Sequence, residues 1–247
     1  MRSIITAVFL FSFIIYPFSG SCELLHYKFK FNHHQALKKI PEPSGIAYDK
    51  ETGNYYIVSD HGMLFECDSV FNIVRKADEE GMDFEGVVVR DSFIYVSDET
   101  PRFVYKYRKS DLALMKKYPV SWSGAMNKSF ESIAYNKAKN CFLLVSQQPA
   151  VIVEFDEHFR ELERTSFKDA RDISDAGWYN GFLYLLSGKE ETIYKCDPLT
   201  YKPTASYKIN VLNPEGLTFD ALGRVYVVSD DLQRIYFFNR LPNNTDQ

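Results

Sequence analysis

Apolar residues in this chain fall in short alternating runs, and the runs recur in a fixed order. One kind opens with an acid or a serine, in most copies followed by a small residue: 44-SGIAYD-49, 85-EGVVVR-90, 131-ESIAYN-136, 174-SDAGWY-179 and 215-EGLTFD-220. A second kind is more strongly β-branched or aromatic and carries a serine at its end: 55-YYIVSD-60, 93-FIYVSD-98, 142-FLLVSQ-147, 182-FLYLLSG-188 and 225-VYVVSD-230. A third follows in 64-LFECD-68, 103-FVYKYR-108, 151-VIVEFD-156, 193-IYKCD-197 and 235-IYFFN-239. Alternation over such lengths predicts half-buried strands, and unbroken apolar stretches predict strands buried on both faces. Turn formers at Asp49 to Gly53, Tyr179 to Gly181 and Asp220 to Gly223 separate the first two kinds, as short hairpins require. Weaker fourth strands are predicted over 71–77, 114–120, 162–167 and 206–212.

The first runs start 41, 46, 43 and 41 residues apart. A period of about 40 to 50 residues holding four short strands is the mark of a β-propeller, whose radial repetition leaves only short, protected edges. Five repeats predict an all-β, five-bladed propeller with four-stranded blades, one domain over residues 23–247. The last repeat shows only three clear strands, so the strand-like 24-LLHYKFKFN-32 is predicted to join it as the outer strand and close the ring. An open β-sandwich leaves the period unexplained.

The register has a chemical consequence. In a propeller the first strand of each blade lines the central channel, so Ser44, Glu85, Glu131, Ser174 and Glu215 should ring the axis at one height. Two residues earlier the same alignment gives Glu42, Asp83, Ser129, Asp172 and Asn213, and the returning second strands bring Asp60, Asp98, Gln147 and Asp230 to the same mouth. Converging glutamates raise one another's pKa unless a positive charge neutralises them. Calcium suits such a site, because it accepts six to eight oxygen ligands in tolerant geometry, whereas zinc favours the His or Cys that these positions lack. A competing reading has each carboxylate accept backbone N–H groups from the next blade and merely staple the repeats. The Ser-Asp pairs ending the second strands also read as turn residues that bond their own backbone.

The segments 83-DFEGVVV-89 with 94-IYVSDE-99, 130-FESIAY-135, 172-DISDAGW-178 and 213-NPEGLTFDALGRVYVVSD-230 carry a resemblance in their order and spacing. Across roughly residues 24–240 the chain resembles the SdiA-regulated family of bacterial extracytoplasmic five-bladed propellers, distantly similar to SMP-30 and NHL-type propellers. The resemblance implies a calcium ion at the propeller mouth, with Glu85, Glu131 and Glu215 at the matching positions and Asp172 as a fourth ligand. Glu42, Asp83 and Asp175 form a second tier; Asp175 stands where the family often has glycine, and adds a carboxylate. The family name records a transcriptional association and conveys no biochemical activity.

Composition narrows the function. With 29 basic against 33 acidic residues and no basic run, nothing is arranged to neutralise nucleic-acid phosphates. Arg2 ahead of an apolar run from Ile4 to Tyr16, then small residues, is laid out like a secretory signal over residues 1–22. The segment 19-SGSC-22 is similar to a lipoprotein cleavage box but lacks the usual leucine, so Cys22 is a candidate for acylation. The expected location is therefore exported: periplasmic, lipid-anchored or secreted. Cys67, Cys141 and Cys196 are far apart and read as core residues, and Trp178 falls within the inner-strand pattern.

The chain lacks G-x-S-x-G, H-E-x-x-H and glycine-rich phosphate loops. The leading expectation is thus a calcium-binding module for a small ligand or an envelope protein. The alternative is a metal-dependent hydrolase of the lactonase or phytase kind, which needs a base near the metal. His61, Asp98 and Glu99 are the candidates for that base.

Overall fold

The computed structural model describes residues 24–122 and 129–240, and these form five sheets. Strands are numbered in chain order. Two precede the first blade, β1 (Leu25–Lys28) and β2 (Phe31–Ala36). Blade one is β3 (Pro43–Tyr48), β4 (Tyr55–Ser59), β5 (Met63–Cys67) and β6 (Ile73–Lys76); blade two is β7 (Phe84–Arg90), β8 (Phe93–Asp98), β9 (Phe103–Arg108) and β10 (Leu114–Pro119). Blade three is β11 (Phe130–Asn136), β12 (Cys141–Ser146), β13 (Val151–Phe155) and β14 (Glu161–Ser166). Blade four is β15 (Asp175–Tyr179), β16 (Phe182–Ser187), β17 (Thr192–Cys196) and β18 (Pro203–Lys208). Blade five is β19 (Pro214–Phe219), β20 (Arg224–Ser229) and β21 (Arg234–Arg240), with β2 as its outer strand. Each inner strand touches the next, and β19 returns to β3, so the sheets close a ring.

The N-terminal segment closes the ring, but in two pieces. Phe31–Ala36 pairs antiparallel with β21, while Leu25–Lys28 adds a fifth strand to blade four, parallel to β18. Phe29 is the pivot between them, buried against Tyr207 of blade four (4.9 Å between ring centroids) and Phe238 of blade five (5.8 Å). An unbroken alternation over 24–32 conceals that crossing. The outer strand of blade four likewise lies at Pro203–Lys208, earlier than the 206–212 expected. Proline is tolerated where a strand begins, and Ile209 and Val211 beyond it are buried as core.

The core is five layers, one between each pair of neighbouring blades. Side chains alternate across a strand, so β12 sends Cys141, Leu143 and Val145 toward blade four and Phe142 and Leu144 toward blade two. Burial on both faces explains why the second strands are almost wholly apolar. Cys67, Cys141 and Cys196 are free, buried and part of this packing. The hairpin from β15 to β16 turns through Asn180 and Gly181, both at positive φ (46° and 84°), the backbone that a two-residue hairpin needs. Residues 1–23, with the leader-like stretch and Cys22, and the tail from 241 lie outside the described residues.

Candidate metal centre

All five inner strands begin at one end of the channel, and the second strands finish there. The ring positions divide by residue type. Ser44 Oγ donates to the Phe84 carbonyl of the next blade at 2.5 Å, and Ser174 Oγ donates to the Pro214 carbonyl at 2.7 Å. The serines therefore staple adjacent blades. Glu85, Glu131 and Glu215 do not, since none accepts a backbone N–H from a described residue.

Instead the glutamates confront one another. Burial, then the charges of Glu131 and Asp60, pushes the Glu85 carboxyl well above its ordinary value. Burial and then Glu99 and Glu215 raise Glu131 to about 9, and burial with Asp230 and Asp60 raises Glu215 to about 8. Glu99 is raised as well, first by burial. Asp60 is raised to about 6, first by burial, and its Oδ1 is buried without a hydrogen-bond partner among the described residues. A buried carboxylate oxygen without a donor is costly, so the mouth lacks positive charge that its side chains call for.

Oxygens of Asp83, Glu85 and Glu99 lie within 4.8 Å of one another. Oxygens that close together can all reach one cation. The donors are all oxygens, as a hard cation prefers. Glu85 unites the triad with the glutamate ring through its coupling to Glu131 and Glu215. Of the four first-rank ligand positions only Glu85 belongs to this triad; Asp83 is a second-tier position and Glu99 one of the candidate bases. The signal for Glu99 was its place directly after the second strand, in 97-SDE-99, which carries it across to the next blade.

The other candidates are placed as follows. Asp172 stands at the same end, accepting Ser187 Oγ at 2.7 Å and the Lys189 N–H at 3.1 Å. Asp175 lies between blades: Oδ1 accepts from Ser132 Oγ (2.7 Å) and Ala176 N–H (2.7 Å), and Oδ2 accepts Leu217 N–H (2.6 Å). Burial raises it to about 7. Gly45, Gly86 and Gly216 hold the equivalent position in blades one, two and five, where neighbouring backbones approach so closely that a Cβ on Gly86 would lie 2.5 Å from Ile133 N, while blade three has Ser132 there. Asp175 and Ser132 thus replace a glycine contact with a polar bridge.

Asp98 accepts the N–H groups of Met82 and Asp83, each at 3.0 Å, so both of its oxygens position the rim loop. Glu99 Oε1 accepts Ser129 N–H at 2.8 Å, which leaves the second oxygen for the mouth. His61 Nε2 meets Glu42 at 3.1 Å in an exposed pair. Glu42 and Asn213, at matching repeat positions, both adopt positive φ (40° and 42°), a strained backbone for glutamate.

Fold and site together define a five-bladed propeller with an acidic, cation-deficient mouth. The chain belongs to the SdiA-regulated family, whose profile matches residues 20–239. Among solved structures it is similar to the glutaminyl cyclase of Myxococcus xanthus, at 12% identity and a TM-score of 0.72 over 88% of this chain and 98% of that one. It is also similar to a streptogramin B lyase, at 12% identity and a TM-score of 0.57 over 84% of this chain and 97% of that one. The virginiamycin B lyase of Staphylococcus aureus aligns at 10% identity and a TM-score of 0.51 over 87% of this chain and 76% of that one. At these identities the likeness concerns the fold. Comparison with curated proteins gives no match.

Proposed function

We propose that the protein is a calcium-binding propeller that presents its metal-bearing mouth to a small ligand or to a partner at the cell envelope. One observation carries the reading: Glu85, Glu131 and Glu215 converge without backbone donors among the described residues, beside Asp60 Oδ1, which is buried without a hydrogen-bond partner among them. Asp83, Glu85 and Glu99 would hold the ion, with Glu131, Glu215 and Asp60 supplying charge around it. A calcium ion there displaces the protons that these carboxyls otherwise keep, and offers open coordination positions to a ligand oxygen. The leader-like residues 1–22 support export as part of this reading, and anchoring would add a lipid at Cys22. Labelled palmitate would appear in the mature protein if Cys22 is acylated, and its absence removes the anchor. No helix among the described residues is long and apolar enough to cross a membrane.

The test is thermal unfolding in excess calcium, in magnesium and in chelator. Binding to the native state alone stabilises by RT ln(1 + [L]/Kd), about 2.7 kcal/mol at a hundredfold excess over Kd. A calcium-specific rise that disappears in Glu131→Ala supports the reading. Equal unfolding temperatures in calcium and chelator contradict it.

A second reading, a metal-dependent hydrolase, draws support from His61 at the rim, since a bound cation could polarise a carbonyl or phosphoryl oxygen beside that base. The similar cyclase and lyase structures add that this fold hosts catalysis, although a fold does not transfer an activity. Turnover of a lactone or phosphate ester that is lost in His61→Gln favours this reading. Metal binding without turnover favours the module.

A further inference from the structure

The inner strands finish at the opposite end of the channel around a cavity of about 1000 Å³. That is the upper end of the size range of small-molecule pockets. None of Asp60, Glu85, Glu131 or Glu215 lines it. Its walls carry the aromatic rings of Tyr48, Tyr135, Trp178 and Tyr179, one or two from each of three blades. Trp178 also packs on the core layer between blades three and four, which fixes its position at the wall.

Charge distinguishes this cavity from the acidic mouth. The Arg90 guanidinium lies over the Tyr135 ring, 4.3 Å from its centroid, and 5.4 Å from that of Phe142. Its one ionic contact among the described residues is Asp91 at 3.6 Å, and it donates no hydrogen bond to a described residue. A guanidinium held by stacking keeps its N–H groups free in its own plane, in the fork geometry that matches a carboxylate. The acids of the cavity are mostly engaged. Asp49 holds Lys109 at 3.1 Å and Thr52 at 2.9 Å, Glu51 holds the same lysine at 2.5 Å, and Asp220 holds Arg224 at 2.6 Å and Tyr226 at 3.0 Å. Lys50 and Lys137 have no ion pair among the described residues, so with Arg90 the free charge of the cavity is positive despite Asp91.

We propose that this end of the channel is a second binding site, specific for a small aromatic carboxylate. The carboxylate meets the Arg90 fork with Lys137 nearby, and the ring lies against the aromatic wall that includes Trp178. The site does not depend on the metal reading, because it shares no residue with the acidic mouth.

The test is calorimetric titration of the protein with 2-naphthoate, with the neutral 2-naphthamide as control, in chelator so that the acidic mouth plays no part. The expected result is saturable binding of one naphthoate per chain, with the amide at least tenfold weaker. Arg90→Gln should weaken naphthoate at least tenfold, and Lys137→Gln should weaken it by a smaller factor. Lys137 has no ion pair among the described residues, so its variant retains the fold even if loss of the Arg90 stack disturbs blade two. Glu131→Gln, at the other end, should leave naphthoate binding unchanged. No saturable binding, equal affinity for acid and amide, or insensitivity to both cation variants would overturn the proposal.

Discussion

At the end where the inner strands begin, equivalent repeat positions bring Glu85, Glu131 and Glu215 together with Asp60, Asp83 and Glu99, and burial holds most of these carboxyls above their ordinary pKa. At the end where the same strands finish, Arg90 stacks on Tyr135 near Asp91, Lys50 and Lys137 have no ion pair among the described residues, and the carboxylates are largely paired. The backbones also differ. Near the acidic end Gly45, Gly86 and Gly216 allow backbone-to-backbone contact, whereas Gly177 farther along faces the Phe219 ring at 3.2 Å. The strands converge tightly where the acids sit and leave a cavity where they finish. One repeat can thus gather acids in a compact ring at one end and leave a roomier cavity at the other.

The largest expected effect tests the convergence. In Gly86→Ala the new Cβ would lie 2.5 Å from Ile133 N and 2.7 Å from Ser132 Cα, both backbone atoms that cannot swing away. Denaturant unfolding should show a loss of about 3 kcal/mol, at the upper end of overpacking costs. Gly177→Ala should cost under about 1 kcal/mol, because an aromatic ring can give by a few tenths of an ångström. Equal costs at the two glycines would mean that the ends are packed alike.

Charge neutralisation should act in opposite directions at the two ends. Glu131→Gln removes a buried, repelled acid, so metal-free stability at pH 8 should rise by on the order of 2 kcal/mol. Arg90→Gln removes a stacked cation, and stability should fall by about 1 kcal/mol. A fall in both variants would show that Glu131 is held by donors rather than opposed by neighbours.

The pH dependence follows from the same raised values. Glu131 and Glu215 titrate near 4.5 when unfolded and at about 9 and about 8 when folded. Over that interval the native state holds the extra protons, so their contribution is fully present at and below about pH 4.5 and declines until the folded values are passed. Metal-free protein should therefore lose thermal stability from about pH 5 to 9, and saturating calcium should flatten the decline by replacing the protons. A metal-free unfolding temperature that rises over this range contradicts the assignment. The smallest effect belongs to His61→Gln. The pair with Glu42 is exposed, so stability should change by less than about 0.5 kcal/mol.

How much of this was legible in the sequence follows from what repeats. The blade order, the inner-strand register and the positions of Glu85, Glu131 and Glu215 are fixed by apolar periodicity, because a one-residue slip would turn every buried side chain outward. The crossing at Phe29 was hidden because the alternation runs through it without a turn signal. Asp175 sits one residue from the ring, where strand alternation carries its side chain between blades to Ser132 and Leu217 rather than to the mouth. Glu99 lies beyond the end of its strand, where the repeat no longer fixes direction. The far cavity is lined largely by the later residues of the same inner-strand runs, but their identities change from blade to blade, as in Tyr48, Arg90, Tyr135 and Trp178, so the repeat gave no chemical motif for it.

The central claim is that the acidic mouth is a calcium seat. The most direct measurement is calorimetric titration of calcium into chelator-stripped protein at pH 8, on the wild type and on Glu85→Gln, with magnesium as a control. The account predicts one calcium ion per chain, weaker binding of magnesium, and at least a tenfold loss of affinity in the variant. No saturable heat with calcium, or equal binding by the two proteins, would contradict it.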